Sequence, residues 1–202
     1  MAEITEQEKG LIREGIRGKY ARVAAEGTAC CFSYPTGLEG LRLQGYPLEL
    51  VKDFPAGIID SFCGVGNPFS LGPLYPGEAV LDVGCGAGFD AFVAAKLVGP
   101  GGRVVGVDVT PEMIARAHEN LAQVGLKNVR FEVAEAESLP FPDGSFQAVI
   151  SNGVFNLTVN KEKALREGHR VLAPGGRLLL ADMVLVSPLP EDKAGRIENW
   201  YQ

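Results

Sequence analysis

Residues Ala79–Asp90 read AVLDVGCGAGFD, and this stretch decides the fold. Five residues of strand character, apolar at both parities, run into glycines at 84, 86 and 88, and a helical pattern opens at Asp90. A strand that is apolar on both faces belongs inside a parallel sheet covered on two sides. Glycines directly after such a strand let the backbone turn tightly and approach a ligand closely.

Working outward from this turn, further strands are expected at Arg103–Asp108, Val129–Val133, Phe146–Ser151 and Arg177–Val184. Helical patterns lie between them near Asp90–Leu97, Pro111–Val124 and Lys161–Leu172. Thr110-Pro111 supplies an N-cap residue followed by proline at the first helical position. Gly99–Gly102 and Pro174–Gly176 are expected to stop helices before the next strand. Strand and helix in alternation predict a doubly wound α/β fold with a parallel sheet.

Upstream, residues 3–26 look helical through Leu11, Ile12 and Ile16, with interruptions at Gly10, Gly15 and Gly18. From Thr28 to Pro76 the chain is rich in Gly and Pro, with a possible helix over Pro47–Asp53, and it reads as a cover rather than a core. The expected organisation is a cover segment at 1–71, the main domain at 72–187, and a short C-terminal helix or tail at 188–202 containing Trp200.

Bulk properties narrow the function classes. With 202 residues, 46% of them hydrophobic, the chain has material for one well-packed domain. Its net charge of −6 opposes binding to a polyanion, so a small molecule is the expected partner and nucleic acid is not. The N-terminus is polar and acidic, unlike a signal peptide, and no apolar run approaches the ~20 residues of a membrane span. The expectation is a soluble cytoplasmic protein whose four cysteines are free thiols.

Two details of the glycine turn select the ligand. A dinucleotide fingerprint places its third glycine at the sixth position, which here is Phe89. In addition, Asp82 sets a carboxylate at the strand end, where a pyrophosphate is repelled and a cationic group is attracted. Asp108 closes the second strand, 24 residues after Gly84, in position to accept hydrogen bonds from ribose hydroxyls. The alternative for Asp108 is helix-dipole stabilisation of the helix over Pro111–Val124. After the third strand, Ala136 with Glu135 or Glu137 lies where an adenine edge is read in this fold; a solvated acidic loop is the alternative.

In order, VLDVGCGAG, VGVD, AESLPF and RVLAPGG resemble the motifs of class I S-adenosylmethionine-dependent methyltransferases over about residues 72–187. The resemblance implies S-adenosylmethionine as cofactor, with Asp82, Gly84, Cys85, Gly86 and Gly88 around its methionine moiety. It implies Asp108 at the ribose, Val109 and Met113 near the adenosine, Ala136 and Glu137 at the adenine, and Asn152 facing the methionine end and the acceptor. Within that superfamily the chain most resembles the arsenite methyltransferases, through GAGFD, VGPGGRVVGVDVT and ISNGVFNL. That family carries cysteines where this chain has Val65 and Gly153, and a third in a later region. Cys30, Cys31 and Cys63 are left as candidate metalloid thiols, since trivalent arsenic prefers sulfur ligands, and no other metal site is expected.

Methyl transfer from a sulfonium needs alignment and water exclusion more than a nucleophilic residue, so no general base is assigned. His118 and His169 fall within helices, where packing roles are expected. Tyr20, Tyr34 and Tyr46 belong to the cover and are candidates to close over the acceptor, with aromatic packing as the default reading. The expected function is methyl transfer to a small-molecule acceptor. The alternatives are arsenite methylation through Cys30, Cys31 and Cys63, or a cofactor-binding module without turnover. Few residues follow the fifth strand, so its edge is expected to be covered by the N-terminal segment or by a partner in a homodimer, unless the chain is a shortened one.

Overall fold

The computed structural model describes residues 4–186 and Trp200, with Cys30 described by its backbone alone. The expected C-terminal helix at 188–202 therefore lies outside the described residues, apart from Trp200. That residue donates its indole N–H to the Leu157 carbonyl at 2.8 Å, and Lys161 sits 4.4 Å from its ring centre.

The strands are β1 (Ala79–Val83), β2 (Arg103–Asp108), β3 (Val129–Val133), β4 (Phe146–Asn152) and β5 (Leu172–Ala181). They form one sheet in the order β3-β2-β1-β4-β5, with every neighbouring pair parallel. This is the doubly wound fold expected from the sequence. The strand order reverses beside β1, so a crevice opens between the C-terminal ends of β1 and β4, where ligands bind in such sheets.

Helices α1 (Glu6–Glu26), α2 (Gly37–Leu43), α3 (Leu48–Val51) and α4 (Ala56–Asp60) precede the sheet. Among the strands come α5 (Phe89–Val98), α6 (Pro111–Val124) and α7 (Lys161–Arg170). One face of the sheet packs against α5 and α6 through Phe92, Val93, Ile114 and Ala117. On the other face Leu139, Phe141, Phe155 and Ala164 are buried.

The segment read as a cover is also core. Leu41, Tyr46, Val51, Phe54, Ile58 and Phe62 are buried in the same cluster as Phe89 and Phe92. Their rings meet edge-on, Phe54 against Phe89 at 5.9 Å and Phe62 against Phe89 at 5.1 Å. Edge-to-face pairs add to the area that aromatic side chains bury. Thus the N-terminal segment is welded to α5, the helix that the glycine turn launches.

Three local expectations are corrected. Strand β5 spans Leu172–Ala181 rather than Arg177–Val184. Pro174–Gly176 sits inside it, because a register shift between Phe146 and Ala148 lets the strand bulge past these residues. Helix α7 accordingly ends at Arg170. Thr110 holds the N-cap position of α6, yet its side chain makes no capping bond. Cys31 is engaged in a disulfide, against the expectation of four free thiols, whereas Cys63 and Cys85 are free.

Candidate cofactor and acceptor cleft

A cleft of about 1200 Å³, its open mouth included, lies over the C-terminal ends of β1, β2 and β4. Its lining joins Asp82, the 84–87 turn, Asp108, Val109, Met113, Ala136, Glu137 and Asn152. Gly88 stands just behind this surface, at the start of α5. The sequence-predicted residues are thus brought together.

Each glycine of the turn has its own reason. A Cβ on Gly84 would collide with the side chain of Val154, and one on Gly88 would stand 2.7 Å from the ring of Phe131. Gly86, at φ +51, meets nothing within 4 Å. Two glycines therefore close the protein up, and the third presents bare backbone to open space. The turn is pinned by Gly84 and Cys85 amides donating to the Val107 carbonyl at 2.7 and 2.9 Å.

The electrostatics are set by two buried carboxylates, Asp82 and Asp90, and the half-buried Asp108. Asp82 is 2% exposed, and its Oδ2 has no hydrogen-bond partner. Burial pushes its carboxyl well above the usual range, and the nearby Asp90 and Asp108 push it further. Asp90, 8% exposed, accepts from the Tyr46 hydroxyl at 2.7 Å and the Asn152 amide at 3.0 Å. Burial raises it to about 6 despite these two donors. Asp108 accepts from the Gly86 and Thr110 amides at 3.0 and 2.8 Å; burial outweighs them and raises its carboxyl as well. An uncompensated buried carboxylate is costly. A cationic ligand answers that cost, and an anionic one adds to it.

Asn152 and Glu137 do more structural work than their sequence positions indicate. The Asn152 Oδ1 accepts from the Val65 and Gly66 amides at 2.8 and 3.0 Å, and its Nδ2 donates to Tyr46, the Gly66 carbonyl and Asp90. It clamps the 64–66 turn onto β4. Glu137 accepts from the Val159 and Asn160 amides, both at 3.0 Å, and pairs with Arg13 at 3.2 Å. Glu135 pairs with Arg17 at 3.1 Å. The third-strand loop is thereby tied to α1 and to the 157–160 wall.

Sequence reading offers Tyr20 as a residue closing over the acceptor, and Tyr20 does line the cleft, but it does not disclose that Arg13 and Ile16 of α1 join it in the cleft wall. It also gives no role to Asp90, although a carboxylate opening the otherwise apolar FDAFVAAKLV helix is a usable signal. Of the other tyrosines, Tyr34 donates to the Cys63 carbonyl at 2.9 Å. His118 packs edge-on against Phe131 at 5.8 Å, as expected of a packing residue.

Cys63 lines the cleft, but burial together with Asp108 and Asp90 pushes its thiol up to about 12, which keeps it protonated. Cys85 is likewise pushed well up by burial. Among the described residues, no group of three His, Cys, Asp or Glu side chains is arranged to hold a metal ion, and no helix is long and apolar enough to cross a membrane.

Known proteins agree with this geometry. The profile of the family described as "Methyltransferase domain" matches residues 74–202. An arsenite methyltransferase of Halobacterium salinarum is 42% identical over 193 residues, covering 89% of this chain and 49% of its own length. A ubiquinone/menaquinone biosynthesis C-methyltransferase of an Enterobacter species is 43% identical over 117 residues, 56% of this chain and 46% of the relative. The crystal structure of an arsenic(III) S-adenosylmethionine methyltransferase from Chlamydomonas reinhardtii superposes with a TM-score of 0.65 at 36% identity, over 80% of this chain and 54% of that one. The chain spans about half the length of the curated relatives it matches. With motifs, sheet order and acid-lined turn in agreement, the chain belongs to the class I S-adenosylmethionine-dependent methyltransferase family, near its arsenite methyltransferases.

Proposed function

We propose that this chain binds S-adenosylmethionine in the β1–β4 crevice and transfers its methyl group to a small organic acceptor. One observation carries the reading: the unpartnered Asp82 oxygen, buried with Asp90 and lining one cleft with Asp108, beside a glycine turn whose Gly86 faces open space. That donor set fits a positively charged nucleoside and is unsuited to a pyrophosphate.

When bound, the cofactor supplies an activated methyl on a sulfonium, and the protein's task is alignment. Asp108, fixed by two backbone amides, has lone pairs left for ribose hydroxyls. Val109, Met113 and Ala136 flank the adenine end. Gly84, Cys85, Gly86 and Gly88 shape the backbone around the methionine end, where Asp82 and Asp90 meet its positive charge. Glu137 acts by holding Arg13 and the 159–160 amides, and Asn152 by fixing the 64–66 turn. On the acceptor side, Tyr20, Phe62, Cys63, Val154 and Leu157 make a mostly apolar wall that excludes water.

Arsenite methylation is the second reading. It is favoured by the named relatives and by the Cys63 thiol in the cleft wall. Valine and glycine at the two positions where that family carries cysteine, and a Cys31 already spent in a disulfide, favour the organic acceptor. Turnover of methyl-labelled donor decides the matter. Label passing to an organic acceptor from an extract, with none passing to thiol-complexed arsenite, is the expected result. Transfer to arsenite that is lost in Cys63→Ser overturns it. No transfer to any acceptor, alongside tight donor binding, would leave a binding module without turnover.

A further inference from the structure

Asn120 is fully buried on the apolar stripe of α6, in line with Met113 and Ala117. Its Nδ2 donates to the Ala87 carbonyl at 3.0 Å, while its Oδ1 is buried with no partner. An apolar side chain at this point of the stripe would avoid the stranded acceptor, which is costly in a dry site. The single bond that Asn120 does make reaches 33 residues back, from α6 into the glycine turn.

The amides of that turn are held almost throughout. Gly84 and Cys85 donate to Val107, Gly86 donates to Asp108 at 3.0 Å, and Gly88 donates to the Cys85 carbonyl at 2.8 Å. The Ala87 amide has no acceptor among the described residues, although Ala87 lines the cleft and is only 8% exposed. A backbone N–H withdrawn from water calls for a partner. The peptide that carries this amide is bracketed by two anchors. Asp108 of β2 grips the peptide before it, and Asn120 of α6 grips the peptide after it. Gly86 adds no packing of its own, since even an added Cβ would meet nothing within 4 Å.

We propose that Asn120 is a positioning residue for the methyl donor: with Asp108 it fixes the 86–87 peptide so that the unoccupied Ala87 amide is presented to the bound cofactor. The inference rests on the cleft being a methyl-donor site, and adds to it a residue that does not itself line the cleft. Helix α6 is suited to the task. Its first turn carries Met113 into the same cleft, and its His118 backs the Phe131 ring against which Gly88 is seated. One rigid element thereby sets the glycine turn relative to the adenosine end of the site.

The test is Asn120→Leu in the full chain, similar in volume and unable to donate. Calorimetry with S-adenosylmethionine and with its demethylated product, well below the melting temperature, should show both binding about tenfold more weakly, as for one lost hydrogen bond. The thermal midpoint of the ligand-free variant should stay close to the native one, because removing the stranded Oδ1 offsets the Ala87 carbonyl left without its donor. A merely structural Asn120 would do the reverse, lowering the midpoint while the folded protein binds as before, and that result overturns the proposal. Amide exchange in the native chain, followed by NMR, gives a reading that needs no variant and decides the matter should Asn120→Leu not fold. The Ala87 amide should exchange faster than those of Gly84, Cys85 and Gly86, and the demethylated product should slow it about tenfold or more. Bound product that leaves the Ala87 amide unprotected overturns the proposal while the donor site stands. Absence of any binding by the native chain removes the donor site and this proposal with it.

Discussion

A Cβ added at Gly153 would lie 3.3 Å from Cγ2 of Val65, so these two positions face one another across the end of β4. They are the two at which the resemblance to arsenite methyltransferases implies cysteines, and here they bring a glycine against an apolar side chain. In the double variant Val65→Cys/Gly153→Cys, together with Cys63, arsenite binding should appear, measured by calorimetry under reducing conditions, where the native chain shows none. Gly153 adopts φ +75, so its cysteine should cost about 1 kcal/mol of stability. Tight arsenite binding by the native chain would contradict the organic-acceptor reading.

Asp82→Asn should separate stability from binding. Removing a buried, unpartnered carboxylate should leave the thermal midpoint unchanged or raise it, by on the order of 1 kcal/mol near neutral pH. The same change should weaken the cationic donor about tenfold or more, because the attraction it removes acts in a dry site. Thermal melts and donor titrations check the two effects separately.

Asp90 contributes to the pH dependence of stability. Its folded value of about 6 exceeds the ordinary 3.8, so between these values the native state holds more protons than the unfolded chain. Stability contributed by this group is therefore present at the acid end and declines as pH rises through that window, by up to about 1.4 kcal/mol per unit. Glu78 and Glu167 are lowered, chiefly through hydrogen bonds from Arg177 and Arg170, and act in the opposite sense at lower pH. Urea midpoints should accordingly fall as pH rises from about 4.5 to about 6, and Asp90→Asn should flatten that slope.

Arg170 holds the far side of the adenine-proximal loop. Its guanidinium donates to the Leu139 and Phe141 carbonyls at 3.0 and 2.7 Å, to Asp143 at 2.8 Å, and to Glu167, which itself accepts from the Leu139 amide. Arg170→Ala should cost about 2 kcal/mol in denaturant unfolding. Arg170→Lys should recover little, since an ammonium cannot span this fork of acceptors.

How far the sequence discloses this protein can be traced residue by residue. β1 and β2 lie where their apolar runs place them, because strands buried on both faces carry a pattern that a helix does not, and β3 lies where its alternation of apolar and polar residues places it. β5 is displaced from its expected span because Pro174–Gly176 looks like a helix stop, and only the pairing with β4 shows a bulge there. The glycine turn and Asp108 are legible because the end of a parallel strand constrains the residues after it. Arg13 and Ile16 are not: their place in the cleft depends on α1 packing against α6, a contact remote in sequence. The link between Tyr46 and Asn152 is hidden for the same reason, the two being 106 residues apart and joined by one hydrogen bond at 3.1 Å.

The most direct measurement is a crystal structure of the chain soaked with S-adenosylmethionine or its demethylated product. The expected density places the ribose against Asp108, the adenine beside Ala136, and the methionine end between the Gly84–Gly88 turn and the Asp82–Asp90 pair. A dinucleotide pyrophosphate bound in that turn, or a cleft with no nucleoside density at saturating ligand, would contradict it.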